Sequence, residues 1–219
     1  MIRALIFDFD GLIIDSEVPV AESWREIFER EGVPFPEDLW RTMVGTREND
    51  DVLWNELERL TGRRFPAEQL EPPRRARSIE LASCLGPLPG IIDMLDFAAS
   101  VGVPVAIASS SSSGWVRGHL ERLGLLARFA IVCTKEDASR TKPDPAVYVE
   151  VVRRLGVDAS HAVAFEDSAP GVASAKAAGL IVVAVPGSFT EDMDFSAADL
   201  VLGSLGEREL GWIFKRFGD

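Results

Sequence analysis

IIDMLDFAASVGVPVAIAS, residues 91–109, is the stretch that decides the fold. Its first part spaces apolar residues as on one face of a helix and ends at Gly102, and its second part is a short, mostly apolar run. The same pattern returns at residues 115–134, 145–167 and 170–187. Strands that are apolar on both faces and alternate with helices are typical of a parallel sheet covered on both sides by helices.

The N-terminal run Ala4 to Phe7 adds one more apolar strand, so the sequence predicts five strands. Glycines end the four helical runs, where a left-handed backbone costs little for glycine alone. These glycines are Gly102, Gly124, Gly156 and Gly179. The predicted fold class is α/β, with a Rossmann-like, doubly wound parallel sheet.

The segment between the first two predicted strands is too long for a simple crossover. It runs from about Asp15 to Pro104, whereas a parallel crossover needs roughly a dozen residues. We therefore expect a small α-helical cap domain at residues 16–87, inserted into an α/β core formed by residues 1–15 and 88–219. Its predicted helices cover residues 16–31, 48–61 and about 73–84, and we expect Arg74, Arg75 and Arg77 on an exposed helix face.

Composition excludes several classes of partner. The chain has 219 residues, 47% of them apolar, and a formal net charge of −12. An acidic surface repels phosphate backbones and anionic lipids, so we expect no nucleic-acid partner and no membrane partner. No apolar run reaches the roughly 18 residues that a membrane helix needs. We expect a monomer in the cytoplasm.

Polar residues follow each of the first four predicted strands. Because ligands bind at the carboxyl ends of the strands in open parallel sheets, these residues are the candidates for a site. They are Asp8 and Asp10 after the first strand, the serines 109–113 after the second, Lys142 after the third, and Glu166 and Asp167 after the fourth.

Four carboxylates at one edge of a sheet repel one another unless a cation or protons neutralise them. Oxygen ligands without nearby histidine or cysteine favour a hard ion such as Mg²⁺. Lys142 and the hydroxyl-rich turn at Ser109 supply the positive charge and the donors that a phosphoryl group requires. The sequence therefore predicts a magnesium site beside a phosphate site.

Four motifs in this order resemble the haloacid dehalogenase superfamily. They are DFDGLIIDSE at 8–17, AIASSS at 106–111, TKPDP at 141–145 and FEDSAPGVASAKAAG at 165–179. The resemblance covers nearly the whole chain. It is nearest to the branch with a helical cap, which contains phosphoglycolate phosphatase-like and β-phosphoglucomutase-like proteins.

The resemblance implies a role for each motif residue. Asp8 is the expected nucleophile, which forms an aspartyl-phosphate, and Asp10 the expected general acid and base. Ser109 and Lys142 are expected to bind the transferring phosphoryl group. The expected magnesium ligands are Asp8, the main-chain carbonyl of Asp10, Asp167, and Glu166 either directly or in support of the other ligands.

The expected substrate is a small phosphorylated metabolite, a sugar phosphate or a polyol phosphate. Ser110 and Ser111 are expected to contact it, and so is Arg47, which resembles a cap-loop arginine of β-phosphoglucomutase-like proteins. Two departures disfavour the mutase: Val20 stands where its pattern has a histidine, and Ser112 where it has a lysine. The resemblance therefore implies a Mg²⁺-dependent phosphatase.

Two alternatives stay open at this point. The first is β-phosphoglucomutase-like phosphoryl transfer. The second is a phosphoacceptor signalling module, because receiver domains also combine acidic residues, Mg²⁺ and a lysine on a doubly wound sheet. The third predicted strand of this chain ends in Cys133 and Thr134, where a receiver domain has its phosphorylated aspartate, and this difference favours the phosphatase.

Overall fold

The computed structural model describes residues 1–44, 50–209 and 211–218. It divides the chain into two compact units. The first consists of Met1–Ile14 with Gly86–Asp219, and the second of Asp15–Leu85. The roles of catalytic core for the first unit and cap for the second stay predictions.

The described part of the first unit contains one six-stranded sheet in which every neighbouring pair is parallel. Its order is β3-β2-β1-β4-β5-β6, so the chain winds outward from β1 in both directions. This confirms the predicted doubly wound α/β class. The strands are β1 (Ala4–Phe7), β2 (Val105–Ala108), β3 (Ile131–Cys133), β4 (Ala162–Glu166), β5 (Ile181–Ala184) and β6 (Leu200–Val201).

The sixth strand was not predicted. It has two residues, and Val201 is exposed, so it lacks the buried apolar run that marks the other five. Residues 185–199, which precede it, contain no helix. A periodic helix–strand pattern therefore does not extend to this edge of the sheet.

The second unit is helical in its described residues. Its helices are α1 (Glu17–Arg30), α2 (Glu37–Met43), α3 (Asp50–Thr61) and α4 (Ala67–Ala82). Helix α2 was not predicted, because seven residues are too few to establish a clear period. Helix α4 begins six residues before the predicted start at Pro73, and both Pro72 and Pro73 lie inside it.

The core helices are α5 (Ile91–Ser100), α6 (Ser113–Arg122), α7 (Ala146–Leu155), α8 (Ala169–Ala177) and α9 (Trp212–Phe217). The four glycines predicted at helix ends all have positive φ, between 66° and 85°, as expected. Among the described residues, none of the helices combines the length and apolarity needed to cross a membrane.

The arginine cluster on α4 is not wholly exposed, so that prediction is wrong for Arg74. Its side chain is buried and donates to Glu71 at 2.5 and 3.0 Å and to the hydroxyl of Ser23 at 3.1 Å. The guanidinium also lies 4.7 Å from the ring of Trp24. These contacts join α4 to α1 and help to offset the two prolines inside α4.

We predict that Arg74→Ala lowers the free energy of unfolding by about 3 kcal/mol or more, because it leaves Glu71 half-buried without its main partner. Arg75→Ala is the matched control, since Arg75 also donates to Glu71 but its side chain is 61% exposed. The control should cost less than about 1 kcal/mol. Urea unfolding followed by tryptophan fluorescence measures both, and equal losses would contradict the assignment.

Candidate active site

The motif at residues 8–17 begins with a tight turn directly after β1. The N–H of Asp8 still donates to the carbonyl of Phe165 on β4, at 3.0 Å. The N–H of Gly11 then donates to the carbonyl of Ile14 at 2.8 Å, which closes the turn. Both aspartates follow the last residue of β1, so they lie at the carboxyl edge of the sheet. Asp8 is buried there and Asp10 is half-buried.

Gly11 is required at this turn for two reasons. Its φ is +76°, a conformation that residues with a side chain rarely adopt. A Cβ atom at this position would also lie 2.0 Å from Oδ2 of Asp167. The absence of a side chain therefore lets Asp167 approach the first motif.

Lys142 joins two of the acidic groups. Its Nζ donates to Oδ1 of Asp8 at 2.5 Å and to Oε1 of Glu166 at 2.6 Å. All three side chains are at most 10% exposed. The loop between β3 and α7 thus brings its lysine to the ends of β1 and β4, as the sequence predicted.

The carboxylates of Asp8, Glu166 and Asp167 form a buried group that fits a metal ion. One oxygen from each residue lies within 4.8 Å of the others. Oε2 of Glu166 is buried without a hydrogen-bond partner among the described residues. Three carboxylates against one ammonium leave excess negative charge, and an all-oxygen donor set suits Mg²⁺.

The electrostatics of this group are dominated by burial. Burial raises the pKa of Glu166 to about 7 in spite of the neighbouring lysine. Burial likewise raises the pKa of Asp8 above its ordinary value, and the charge of Asp10 adds to the effect. Burial opposes the ammonium charge of Lys142, yet the two carboxylates raise its pKa above the usual value. Lys142 therefore stays charged at neutral pH.

Sequence reasoning missed two residues that hold Glu166. The hydroxyl of Tyr148, on α7, donates to Oε1 of Glu166, and a Cβ atom on Gly171 would lie 1.9 Å from Oε2. Tyr148 is the only tyrosine of the chain and lies between Val147 and Val149, on the amphipathic helix α7. A buried tyrosine usually needs a hydrogen-bond partner, and that was the available signal.

The serines after β2 are largely engaged within the site. The buried hydroxyl of Ser109 accepts from the N–H of Ser111 at 2.9 Å. The hydroxyl of Ser110 accepts from the N–H of Lys142 at 3.1 Å. The hydroxyl of Ser111 donates to Oδ2 of Asp10. The turn therefore links the first motif to the lysine loop.

A further donor to Asp10 was also missed by sequence reasoning. The indole Nε1 of Trp115 donates to Oδ1 of Asp10 at 2.8 Å. In the sequence, Trp115 reads as an ordinary apolar residue at the start of a helix. Arg47, the predicted substrate contact in the helical unit, lies outside the described residues.

A doubly wound parallel sheet with paired aspartates after its first strand, a lysine after its third and an acidic pair after its fourth defines a hydrolase of the haloacid dehalogenase type. The haloacid dehalogenase-like hydrolase model matches residues 2–179. The chain belongs to this family, which confirms the resemblance drawn from its four motifs.

Two relatives of this chain carry phosphatase names. The chain is 38% identical over 210 residues to YhcW of Bacillus subtilis, which carries a provisional phosphatase name, with 96% of this chain and 95% of that protein covered. It is 34% identical over 181 residues to the phosphorylated carbohydrates phosphatase of Thermotoga maritima, with 81% and 82% covered.

A solved structure is similar over almost its whole length. It is a Thermotoga maritima protein provisionally named a β-phosphoglucomutase. The TM-score is 0.81 at 28% identity, and 98% of this chain and 99% of that chain are covered. The likeness includes the helical insertion, because nearly every residue of both chains is matched.

We predict that Mg²⁺ stabilises the parent chain and that Gly11→Ala removes this gain, because the new methyl group displaces Asp167. Gly102→Ala is the control: its φ is +68°, but no described heavy atom lies within 4 Å of the added Cβ. Both variants should lose about 1–2 kcal/mol from backbone strain.

The measurement is the melting temperature with and without Mg²⁺. A ligand at 100 times its Kd adds about 2.7 kcal/mol of stability, and Gly102→Ala should retain this gain. An equal response of both variants to Mg²⁺ would contradict the placement of Asp167 beside Gly11.

Proposed function

We propose that this hydrolase is a Mg²⁺-dependent phosphatase that cleaves the phosphate monoester of a small sugar or polyol. The observation that carries the proposal is the buried Asp8, held at 2.5 Å by Lys142 beside a second and a third carboxylate at the edge of the sheet. The phosphatase names of YhcW and of the Thermotoga maritima relative support it.

Asp8 is the proposed nucleophile. Its carboxylate oxygen attacks phosphorus, the bond from phosphorus to the ester oxygen breaks, and an aspartyl-phosphate forms. Lys142 offsets the charge of Asp8, so that an anionic phosphate can approach a carboxylate. Ser109 and Lys142 are the proposed donors to the phosphoryl oxygens.

Asp10 is the proposed proton carrier. Its carboxyl group gives a proton to the departing alkoxide, and the resulting carboxylate then takes a proton from the water that attacks the aspartyl-phosphate. One residue can serve both steps because the second restores its starting protonation state. Its position two residues after Asp8 places it at the same edge of the sheet.

Asp8, Asp167 and the main-chain carbonyl of Asp10 are the residues that would hold Mg²⁺, with Glu166 as a direct ligand or as a support for the others. When bound, the ion neutralises negative charge on the phosphoryl group and on these carboxylates. Tyr148 and Lys142 orient Glu166 for this task through their bonds to its Oε1.

The helical unit, Asp15–Leu85, is the proposed cap. A cap selects the leaving group and excludes water until the chemistry begins. Arg47 and the serines Ser110 and Ser111 are proposed contacts for the substrate. We further propose that the protein acts on a small metabolite in the cytoplasm, as a monomer. Light scattering of the purified chain tests this oligomeric state.

β-Phosphoglucomutase-like transfer is the second candidate, favoured by the similarity to the solved Thermotoga maritima protein. The contacts of Ser112 argue for hydrolysis. Ser112 is the N-cap of α6, where its hydroxyl accepts from the N–H of Trp115 at 3.4 Å. A neutral capping hydroxyl does not supply the cation that the mutase pattern has at this position.

We predict that Asp8→Asn lowers kcat by at least about 10⁴-fold, because an amide cannot attack phosphorus. EDTA should silence the parent chain, and added Mg²⁺ should restore it. Asp158→Asn, an exposed residue that caps a short 3₁₀ turn, is the matched control and should retain full activity.

The assay screens sugar phosphates, polyol phosphates, phosphoglycolate and nucleotides for released phosphate. Isomerised sugar phosphate with little free phosphate would indicate the mutase instead. A lasting aspartyl-phosphate without turnover would indicate the signalling module. Full activity of Asp8→Asn, or full activity in EDTA, would refute the phosphatase mechanism.

A further inference from the structure

We propose that Trp115 is a positioning residue for Asp10, and that its indole N–H fixes the direction in which this carboxyl group delivers its proton. The inference rests on the proposed function, because it concerns the proton carrier of that reaction. Its basis is the 2.8 Å hydrogen bond from Nε1 of Trp115 to Oδ1 of Asp10.

Two contacts hold the indole of Trp115 in place, one through its main chain and one through its ring. The main chain of Trp115 is anchored at the first turn of α6, where its N–H donates to the hydroxyl of Ser112. Its ring meets the ring of His119, one turn further along α6, at 4.2 Å between centroids and an angle of 65°. The Nε1 atom is therefore a donor of fixed position and direction.

His119 connects this arrangement to the first motif. It is buried, and its ring centroid lies 6.3 Å from that of Phe9, the fully buried residue between the two aspartates. Arg122 also contacts this histidine, with its Nη2 3.3 Å from Nδ1 of His119. Phe9 and Trp115 thus pack against the same ring, which couples α6 to the turn that carries Asp10.

The two oxygens of Asp10 have different kinds of partner. Oδ1 accepts from the indole of Trp115, whereas Oδ2 accepts from the hydroxyl of Ser111. A serine hydroxyl reorients by rotation about one bond, but an indole N–H moves only with its ring. We therefore assign Oδ2 as the oxygen that exchanges the proton, and Oδ1 as the oxygen that stays held.

Geometry of this kind has a large effect on rate. A displacement of about 1 Å in a catalytic group can cost about 100-fold, because proton transfer requires the reacting atoms to be aligned. Loss of the indole donor removes the contact that holds Oδ1 of Asp10 in this position. A fixed Oδ1 keeps the exchanging oxygen directed at the leaving group.

The test compares Trp115→Phe with the parent chain on two esters. Phenylalanine keeps an aromatic ring against His119 but removes the N–H. With an alkyl phosphate, whose leaving group needs a proton, we expect kcat/KM to fall by about 10- to 100-fold. With p-nitrophenyl phosphate, whose leaving group needs no proton, we expect kcat/KM to change less than about threefold, since this ratio covers only the steps up to release of the leaving group.

Trp212→Phe is the matched control. Trp212 also lies on a core helix, but its buried Nε1 has no acceptor among the described residues, so the variant loses no hydrogen bond. It should retain the parent values with both esters. If Trp115→Phe folds poorly, replacement of Trp115 by benzothienylalanine, an isostere with sulfur in place of N–H, tests the same bond.

The outcomes separate this inference from the proposed function. Equal losses with both esters, or parent rates with both, would overturn the positioning role while the parent chain remains a phosphatase. A parent chain that hydrolyses neither ester, or an Asp8→Asn variant that remains active, would overturn the phosphatase and the inference that rests on it. A loss confined to the alkyl ester supports both.

Discussion

The ammonium group of Lys142, shared between Asp8 and Glu166, is the interaction on which the site depends. Removing a charge from water costs several kcal/mol, and this edge of the sheet buries the ammonium group of Lys142 together with the carboxylates of Asp8, Glu166 and Asp167. The lysine neutralises part of that charge and draws together the ends of β1 and β4.

The size of the residues around this charge cluster matters as much as their charge. Gly11 and Gly171 are places where a single methyl group would overlap the carboxylates of Asp167 and Glu166. Tyr148 adds a bulky ring beside Glu166 and one donor to it. The backbone at the two glycines and the tyrosine ring leave these carboxylates little room to separate, even though they repel one another.

The sequence predicts the sheet and the charged residues because their signals are local: apolar runs mark strands, and a charge directly after a buried strand is conspicuous. Other features depend on contacts between distant segments. Arg74 is buried because α1 supplies Ser23 and Trp24, and α4 starts early because that packing outweighs two prolines. Trp115 and Tyr148 look like ordinary core residues, since the sequence does not reveal which polar atom an aromatic side chain meets.

The position of β1 in the strand order has a consequence for dynamics. β1 lies between β2 and β4 and is paired along both edges, so the segment that ends in Asp8 is among the last to open in local fluctuations. Slow amide exchange is characteristic of such central strands. The proposed nucleophile thus follows a strand that is protected on both edges, whereas β6, with two residues at the sheet edge, is expected to fray first.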